Sequence, residues 1–155
     1  MCDVGDSVLF REEWIIESEL GREKQVLEQL TCTLLHIHPQ QSRLDAILTA
    51  TSEACLNAME HGNLFNRELP VHITLLVQDD RTIIKVQDEG SGANIGQIAE
   101  NTVGKVRDKL HWDNPRGWGL QLMQHCADIV RSSWNGKFCV ELHFLNMNKH
   151  GVVNQ

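Results

Sequence analysis

Residues 53–62, EACLNAMEHG, form the end of a predicted amphipathic helix that stops at Gly62. Glu53, Asn57 and His61 are spaced one turn apart, so their side chains share one stripe beside the apolar face. An amide oxygen can ligate a hard cation such as Mg²⁺, and a carboxylate can orient or deprotonate a nucleophile. The stretch therefore indicates a helix that carries chemistry, although a Glu/Asn pair on a helix is more often simply solvated.

A strand hairpin follows this helix in the sequence. Apolar residues alternate over 71–77 and again over 82–86, which predicts two antiparallel strands. Asp88 falls in phase with the apolar residues of the second strand, so its carboxylate points to the core face. There it needs a donor such as the exocyclic amine of a purine. Gly90 and Gly92 let the chain turn sharply and approach a ligand closely. Taken alone, this DxGxG pattern also fits a plain turn.

A second glycine-rich stretch, residues 116–120 (RGWGL), begins a third helix after a long loop. Gly117 and Gly119 would expose backbone N–H groups at the positive end of that helix, which favours an anion. Arg116 adds a guanidinium group for phosphate oxygens. The pattern lacks the Lys-Ser/Thr of a Walker A loop and the spacing of a Rossmann fingerprint. By itself it also fits an ordinary glycine-rich helix start.

The remaining elements follow from the same periodicities. They are an extended segment at 7–20, a helix at 22–37 and a C-terminal hairpin of 129–134 and 138–145 around an Asn-Gly turn. Strands joined by tight turns, together with three helices, predict an α+β two-layer sandwich. Its sheet is expected to be mixed but largely antiparallel, covered on one face by about three helices. At 155 residues the chain is expected to form one domain, residues 1–155.

Composition argues against several classes of protein. Lys and Arg number 14 against 21 Asp and Glu, a net charge of −7, which disfavours binding to a nucleic-acid backbone. No apolar run is long enough to span a membrane. The five cysteines lack CxxC spacing, which argues against a zinc site and favours reduced thiols in the cytoplasm. Much of the excess acid lies in residues 1–23, as a solvated face or as a docking face for a basic partner.

Together, the three motifs resemble the N box, G1 box and G2 box of the Bergerat-fold, or histidine-kinase-like, ATPases. The motifs are EAxxNAxxHG on a helix, DxGxG at a strand end and RGxGLxLM at a later helix start. The compact length and the forms of the first and last motifs are most similar to the bacterial anti-sigma-factor serine kinases. The resemblance covers roughly residues 20–145.

This resemblance implies a role for each motif residue. Glu53 would be the general base, and Asn57 would coordinate Mg²⁺. Asp88 would bind the amino group of adenine, while Gly90 and Gly92 would lie under the nucleotide.

The resemblance also places residues at the ATP phosphates. Gly117 and Gly119 would contact them, with Arg116 as a further phosphate-facing residue. Residues of about 93–115 would form an ATP lid.

The function implied by the resemblance is that of a cytoplasmic, ATP-dependent serine-protein kinase and anti-sigma factor. Such a protein phosphorylates a STAS-type anti-anti-sigma protein and sequesters a sigma factor, and a homodimer is common in that family. Two alternatives stay open. One is a catalytically silent ATP-binding partner-switch module, and the other is a stand-alone histidine-kinase-like catalytic domain.

Overall fold

The structure is a computed structural model that describes residues 7–90 and 119–146. Its elements are, in chain order, β1 (Val8–Ile16), α1 (Glu23–Ile37), α2 (Leu44–Asn57), β2 (Val71–Gln78), β3 (Arg81–Gln87), α3 (Gly119–Cys126), β4 (Ile129–Trp134) and β5 (Phe138–Leu145). A π-helical turn, Ala58–Gly62, continues α2. No helix in these two ranges is long and apolar enough to cross a bilayer.

The five strands form one sheet in the order β1-β2-β3-β5-β4. Each of the four pairings between these strands is antiparallel. In the central strand β3, Ile84 lies opposite Leu75 of β2 and Leu142 of β5, and all three side chains are fully buried. The predicted α+β two-layer architecture is confirmed, and the strand pairs within the described ranges contain no parallel member.

The helices cover one face of the sheet, with α2 in contact with both α1 and α3. On the helices, the buried apolar residues include Val26, Leu30, Leu34, Ile47, Ala50, Ala54, Leu120 and Met123. On the strands they include Val71, Ile73, Leu75, Ile84, Val86, Val140, Leu142 and Phe144. Alternate strand residues face this core because successive side chains point to opposite sides of a sheet. The packing holds the end of α2, the end of β3 and the start of α3 at fixed relative positions.

Candidate functional site

Two side chains of α2 meet the first residue of α3. A Cβ built on Gly119 would lie 2.8 Å from Glu53 Oε2 and 3.3 Å from Asn57 Oδ1. Gly119 is therefore close to both side chains, and a larger residue there would displace the carboxylate of Glu53. The arrangement sets a carboxylate and an amide beside the positive end of a helix. Three of the predicted site residues are thus brought together.

The π turn at the end of α2 changes the position of His61. Its Nε2 lies 3.0 Å from Glu60 Oε2 within the same turn. The π turn begins directly after Asn57, so His61 lies in a different helical geometry from Glu53 and Asn57. The two side chains of this helix that lie nearest to Gly119 are those of Glu53 and Asn57.

Cys55 lies between Glu53 and Asn57 in the sequence of α2, but its thiol faces the core. It is fully buried, and burial raises its pKa to about 12, with Glu23 adding to the effect. The thiol therefore stays protonated at neutral pH and packs as a small apolar group. This agrees with the expected reduced thiol and gives Cys55 no part in chemistry.

Asp88 follows directly after β3 and points to the core face, as its phase with the strand predicted. Its side chain is buried, with 3% of the residue surface exposed. The backbone N–H of Asp88 donates to Phe138 O at 3.1 Å, which continues the pairing of β3 with β5. Oδ1 accepts a hydrogen bond from Gly90 N at 3.1 Å.

Burial raises the pKa of the Asp88 carboxyl above its ordinary value of 3.8, because desolvation disfavours the charged form. Backbone hydrogen bonds at Gly90 and Phe138 oppose this shift but do not cancel it. A buried carboxylate that retains capacity for another donor suits a ligand N–H group. Asp88 is therefore the polar group at the end of β3 best placed to recognise a ligand.

The end of α2 and the end of β3 approach each other through two glycines. A Cβ on Gly62 would overlap the carboxyl group of Asp88, and a Cβ on Gly90 would overlap the carbonyl oxygen of Gly62. Any side chain at either position would separate the two elements. Sequence reasoning found Gly62 only as a helix stop, whereas the structure shows that it also makes room for Asp88.

Asn63 is a residue of this region that the sequence analysis missed. It is 1% exposed, and the two N–H groups of its Nδ2 are shared among three acceptors: Ser18 Oγ at 2.8 Å, Leu69 O at 2.9 Å and Pro70 O at 3.0 Å. Its Oδ1 accepts from Glu89 N at 2.8 Å. One buried amide thus ties the end of β1 and the loop before β2 to the residue after Asp88. Its only sequence signal is an asparagine directly after a helix-ending glycine, a pattern that also occurs in ordinary turns.

We expect Asn63→Ala to lower the free energy of unfolding by about 3 kcal/mol, because four groups in a buried or partly buried setting lose their hydrogen-bond partner. Urea denaturation measures the change. The matched control is Asn66→Ala, in the same loop, whose exposed side chain accepts one local hydrogen bond from Glu68 N. Equal effects of the two changes would contradict the anchoring role.

Several predicted site residues lie outside the described residues. These are Gly92, Arg116, Gly117 and the predicted lid at about 93–115. Within 7–90 and 119–146, no three His, Cys, Asp or Glu side chains cluster as a metal site. Mg²⁺ that shares phosphate oxygens needs only one or two protein ligands. The amide oxygen of Asn57, which lies near Gly119, could be such a ligand.

Known proteins resemble this chain in sequence and in fold. The sequence model of the family described as "Histidine kinase-like ATPase domain" matches residues 16–144. Anti-sigma F factors of Bacillus thuringiensis (strain Al Hakam), Bacillus mycoides (strain KBAB4) and Bacillus anthracis (strain A0248) are each 26% identical over 110 residues. That alignment covers 71% of this chain and 73% of each relative.

The fold is also similar to a chain in the crystal structure of the SiaB–SiaC complex from Pseudomonas aeruginosa. The TM-score is 0.66 at 12% sequence identity, and the match covers 88% of this chain and 89% of that one. At this identity the likeness concerns the fold alone.

Proposed function

This chain belongs to the family of histidine-kinase-like ATPase domains, as its three motifs predicted, and we propose that it is an ATP-dependent serine-protein kinase and anti-sigma factor. Its substrate would be a STAS-type anti-anti-sigma protein, and its second partner would be a sigma factor. The similarity to anti-sigma F factors supports this assignment. The observation that carries it is the meeting of Glu53 and Asn57 with the start of α3, together with a buried Asp88 that the end of α2 contacts at Gly62.

Recognition of ATP would begin at Asp88. Its buried carboxylate would accept a hydrogen bond from the amino group of adenine, which supplies the donor that burial demands. Gly90 would let the backbone pass close to the nucleotide, with Gly92 continuing that turn. The Asn63 amide would hold this turn in place through its bond from Glu89 N.

The triphosphate would lie between α2 and the start of α3. The amide oxygen of Asn57 would hold Mg²⁺, which when bound neutralises charge on the phosphate oxygens. The backbone N–H groups at Gly119 and Gly117 would face those oxygens, with Arg116 as an additional cation. Residues of about 93–115 would close over the site and exclude water.

Phosphoryl transfer would then use Glu53 as the base. The substrate serine Oγ forms a bond to the γ-phosphorus while the bond from that phosphorus to the β–γ bridging oxygen breaks and ADP leaves. The proton of the serine hydroxyl passes to the Glu53 carboxylate. Positioning and charge neutralisation supply most of the rate in such reactions. The proximity of Glu53 to Gly119 supports this role, because the helix start would bring the phosphates to the carboxylate.

Calorimetric titration with ATP, with and without Mg²⁺, tests the nucleotide site. We expect the wild-type protein to bind ATP with micromolar affinity that depends on Mg²⁺, and Asn57→Ala to lose that dependence. Asn66→Ala, an exposed asparagine in the loop before β2, is the matched control and should titrate like the wild type. Failure of the wild-type protein to bind ATP, or an Asn57→Ala variant that keeps the full effect of Mg²⁺, would overturn the proposed site.

A further inference from the structure

A cavity lies at the opposite end of α2 from the proposed nucleotide site. Its volume is about 150 Å³. It is lined by Ile47 in the first turn of α2, Thr82 near the start of β3 and Phe144 near the end of β5. Asn57 is the last residue of α2, roughly 15 Å along the helix axis from Ile47. The cavity is therefore separate from the side chains that meet at Gly119.

The cavity opens to solvent beside the loop between α1 and α2. Three of its lining residues in this loop are exposed, namely His38, Gln40 and Ser42. Its inner wall is partly apolar, because Ile47 and Phe144 belong to the buried core. One water molecule needs only about 10–15 Å³ of such a volume, whereas a cavity of about 150 Å³ holds a benzene-sized ring. The cavity therefore has room for a small organic molecule.

Thr82 places a polar group in the wall of this cavity. It occupies the inward-facing position of β3 before Ile84 and Val86, where the alternation of the strand favours an apolar residue. Thr82 is 5% exposed, and its hydroxyl makes no hydrogen bond in the part of the chain that the structure describes. A buried hydroxyl without a partner costs free energy. A ligand that carries a hydrogen-bonding group would supply this partner.

The charge in the cavity wall is already compensated. Arg43 is the permanently charged residue among those that line the cavity in the described ranges. Its Nη1 donates to Asp128 Oδ2 at 2.8 Å and to Leu145 O at 3.2 Å, and its Nη2 donates to Cys126 O at 3.1 Å. A charged ligand would bring an uncompensated charge into the cavity, so the wall favours a neutral one. Arg43 Cζ also lies 5.9 Å from the centre of the Phe144 ring, and a guanidinium group attracts aromatic faces.

We propose that this cavity binds a small neutral aromatic molecule of one ring, whose hydroxyl or amide group forms a hydrogen bond with the Thr82 hydroxyl. The ring would lie against Ile47 and Phe144 and displace water from their apolar surfaces, which favours binding. The cavity shares no residue with the proposed nucleotide site, so this inference does not depend on the proposed kinase activity.

Titration of the full chain with phenol, followed by amide NMR spectra, tests the cavity. We expect the wild-type protein to bind phenol with a dissociation constant of about 1 mM or lower. The signals that shift should include those of Ile47 and Thr82. Benzoate, which has the same ring but a charged carboxylate, should not displace phenol. MgATP should not displace phenol either, because the nucleotide would bind at the other end of α2.

Thr82→Val tests the hydrogen bond, because valine keeps the shape of threonine and lacks its hydroxyl. The change should weaken the binding of phenol at least about fivefold. The affinity for toluene, which has the same ring without a hydroxyl, should not fall. Thr74→Val is the matched control and should bind both ligands like the wild type. Thr74 lies on the opposite face of the sheet, in β2 beside the inward-facing Ile73 and Leu75.

Thermal denaturation checks that each variant is folded, and we expect Thr82→Val to be at least as stable as the wild type because its hydroxyl has no partner to lose. Failure of the wild-type protein to bind phenol, displacement of phenol by MgATP, or equal phenol affinities of Thr82→Val and the wild type would each overturn the proposal. Failure to bind ATP would instead overturn the proposed nucleotide site and leave the result with phenol unchanged.

Discussion

Asp88→Asn should weaken the binding of ATP about 100-fold, because an amide in place of the carboxylate removes a charged hydrogen-bond acceptor for the adenine amino group. The asparagine oxygen can still accept the bond that Gly90 N donates to Asp88 Oδ1. Its NH₂ group would then face the ligand donor, so one buried polar group would be left without a partner. Calorimetric titration with MgATP measures the loss.

The same change should not destabilise the protein in the absence of nucleotide, and we expect it to raise the free energy of unfolding at neutral pH. Burial raises the pKa of Asp88 above 3.8, so the folded protein binds the carboxyl proton of Asp88 more tightly than the unfolded protein does. The protonated Asp88 carboxyl therefore stabilises the folded state fully when the pH is below 3.8, the ordinary pKa. This stabilisation is lost as the pH rises through the higher pKa that the carboxyl has in the folded protein. At neutral pH the wild-type protein carries the cost of a buried charge, and Asp88→Asn removes it.

Urea denaturation of both proteins at several pH values checks this trade-off between stability and binding. The stability difference should shrink as the pH falls, since both side chains are then uncharged. Asp79→Asn, in the exposed turn between β2 and β3, is the matched control and should change neither property appreciably. Unchanged ATP affinity in Asp88→Asn would contradict the role of Asp88, and a large loss of stability at neutral pH would contradict its burial as a costly charge.

Periodicity predicted the elements well where side-chain alternation decides the structure. The last two strands were expected at 129–134 and 138–145 and lie at those positions, around a turn in which Gly136 has a φ of 79°. The phase of Asp88 with its strand was also sufficient to place it on the buried face. The spacing of neighbouring residues is enough to predict these strands and the buried position of Asp88, because each depends on residues that are close in the chain.

Sequence reasoning could not anticipate contacts made between distant segments. The buried amide of Asn63 joins residues from three parts of the chain, and nothing in the neighbouring sequence indicates these contacts. The π turn Ala58–Gly62 likewise lies where the end of α2 approaches the end of β3. The roles of Gly62 and Gly90 in close packing follow from the approach of two backbones, which spacing does not encode.

Glu53→Gln should lower the rate of phosphoryl transfer to a STAS-type substrate by about a hundredfold to ten-thousandfold, the usual contribution of a general base. The affinity for MgATP should change little. Glutamine has nearly the same shape, so α3 can still approach at Gly119, where a Cβ would lie 2.8 Å from Glu53 Oε2. Asn57 keeps its amide oxygen for the cation. A fall in kcat without a rise in the Kd for ATP is therefore the expected signature.

Single-turnover transfer of the γ-phosphoryl group, measured beside ATP titration, separates these two quantities. Glu28→Gln, an exposed glutamate of α1, is the matched control and should retain full activity. Full activity in Glu53→Gln would exclude this carboxylate as the base. A wild-type protein that binds MgATP yet transfers no phosphoryl group would contradict the kinase assignment and favour a silent partner-switch module. In that case Glu53 and Asn57 would serve only to hold nucleotide, and both variants would alter binding alone.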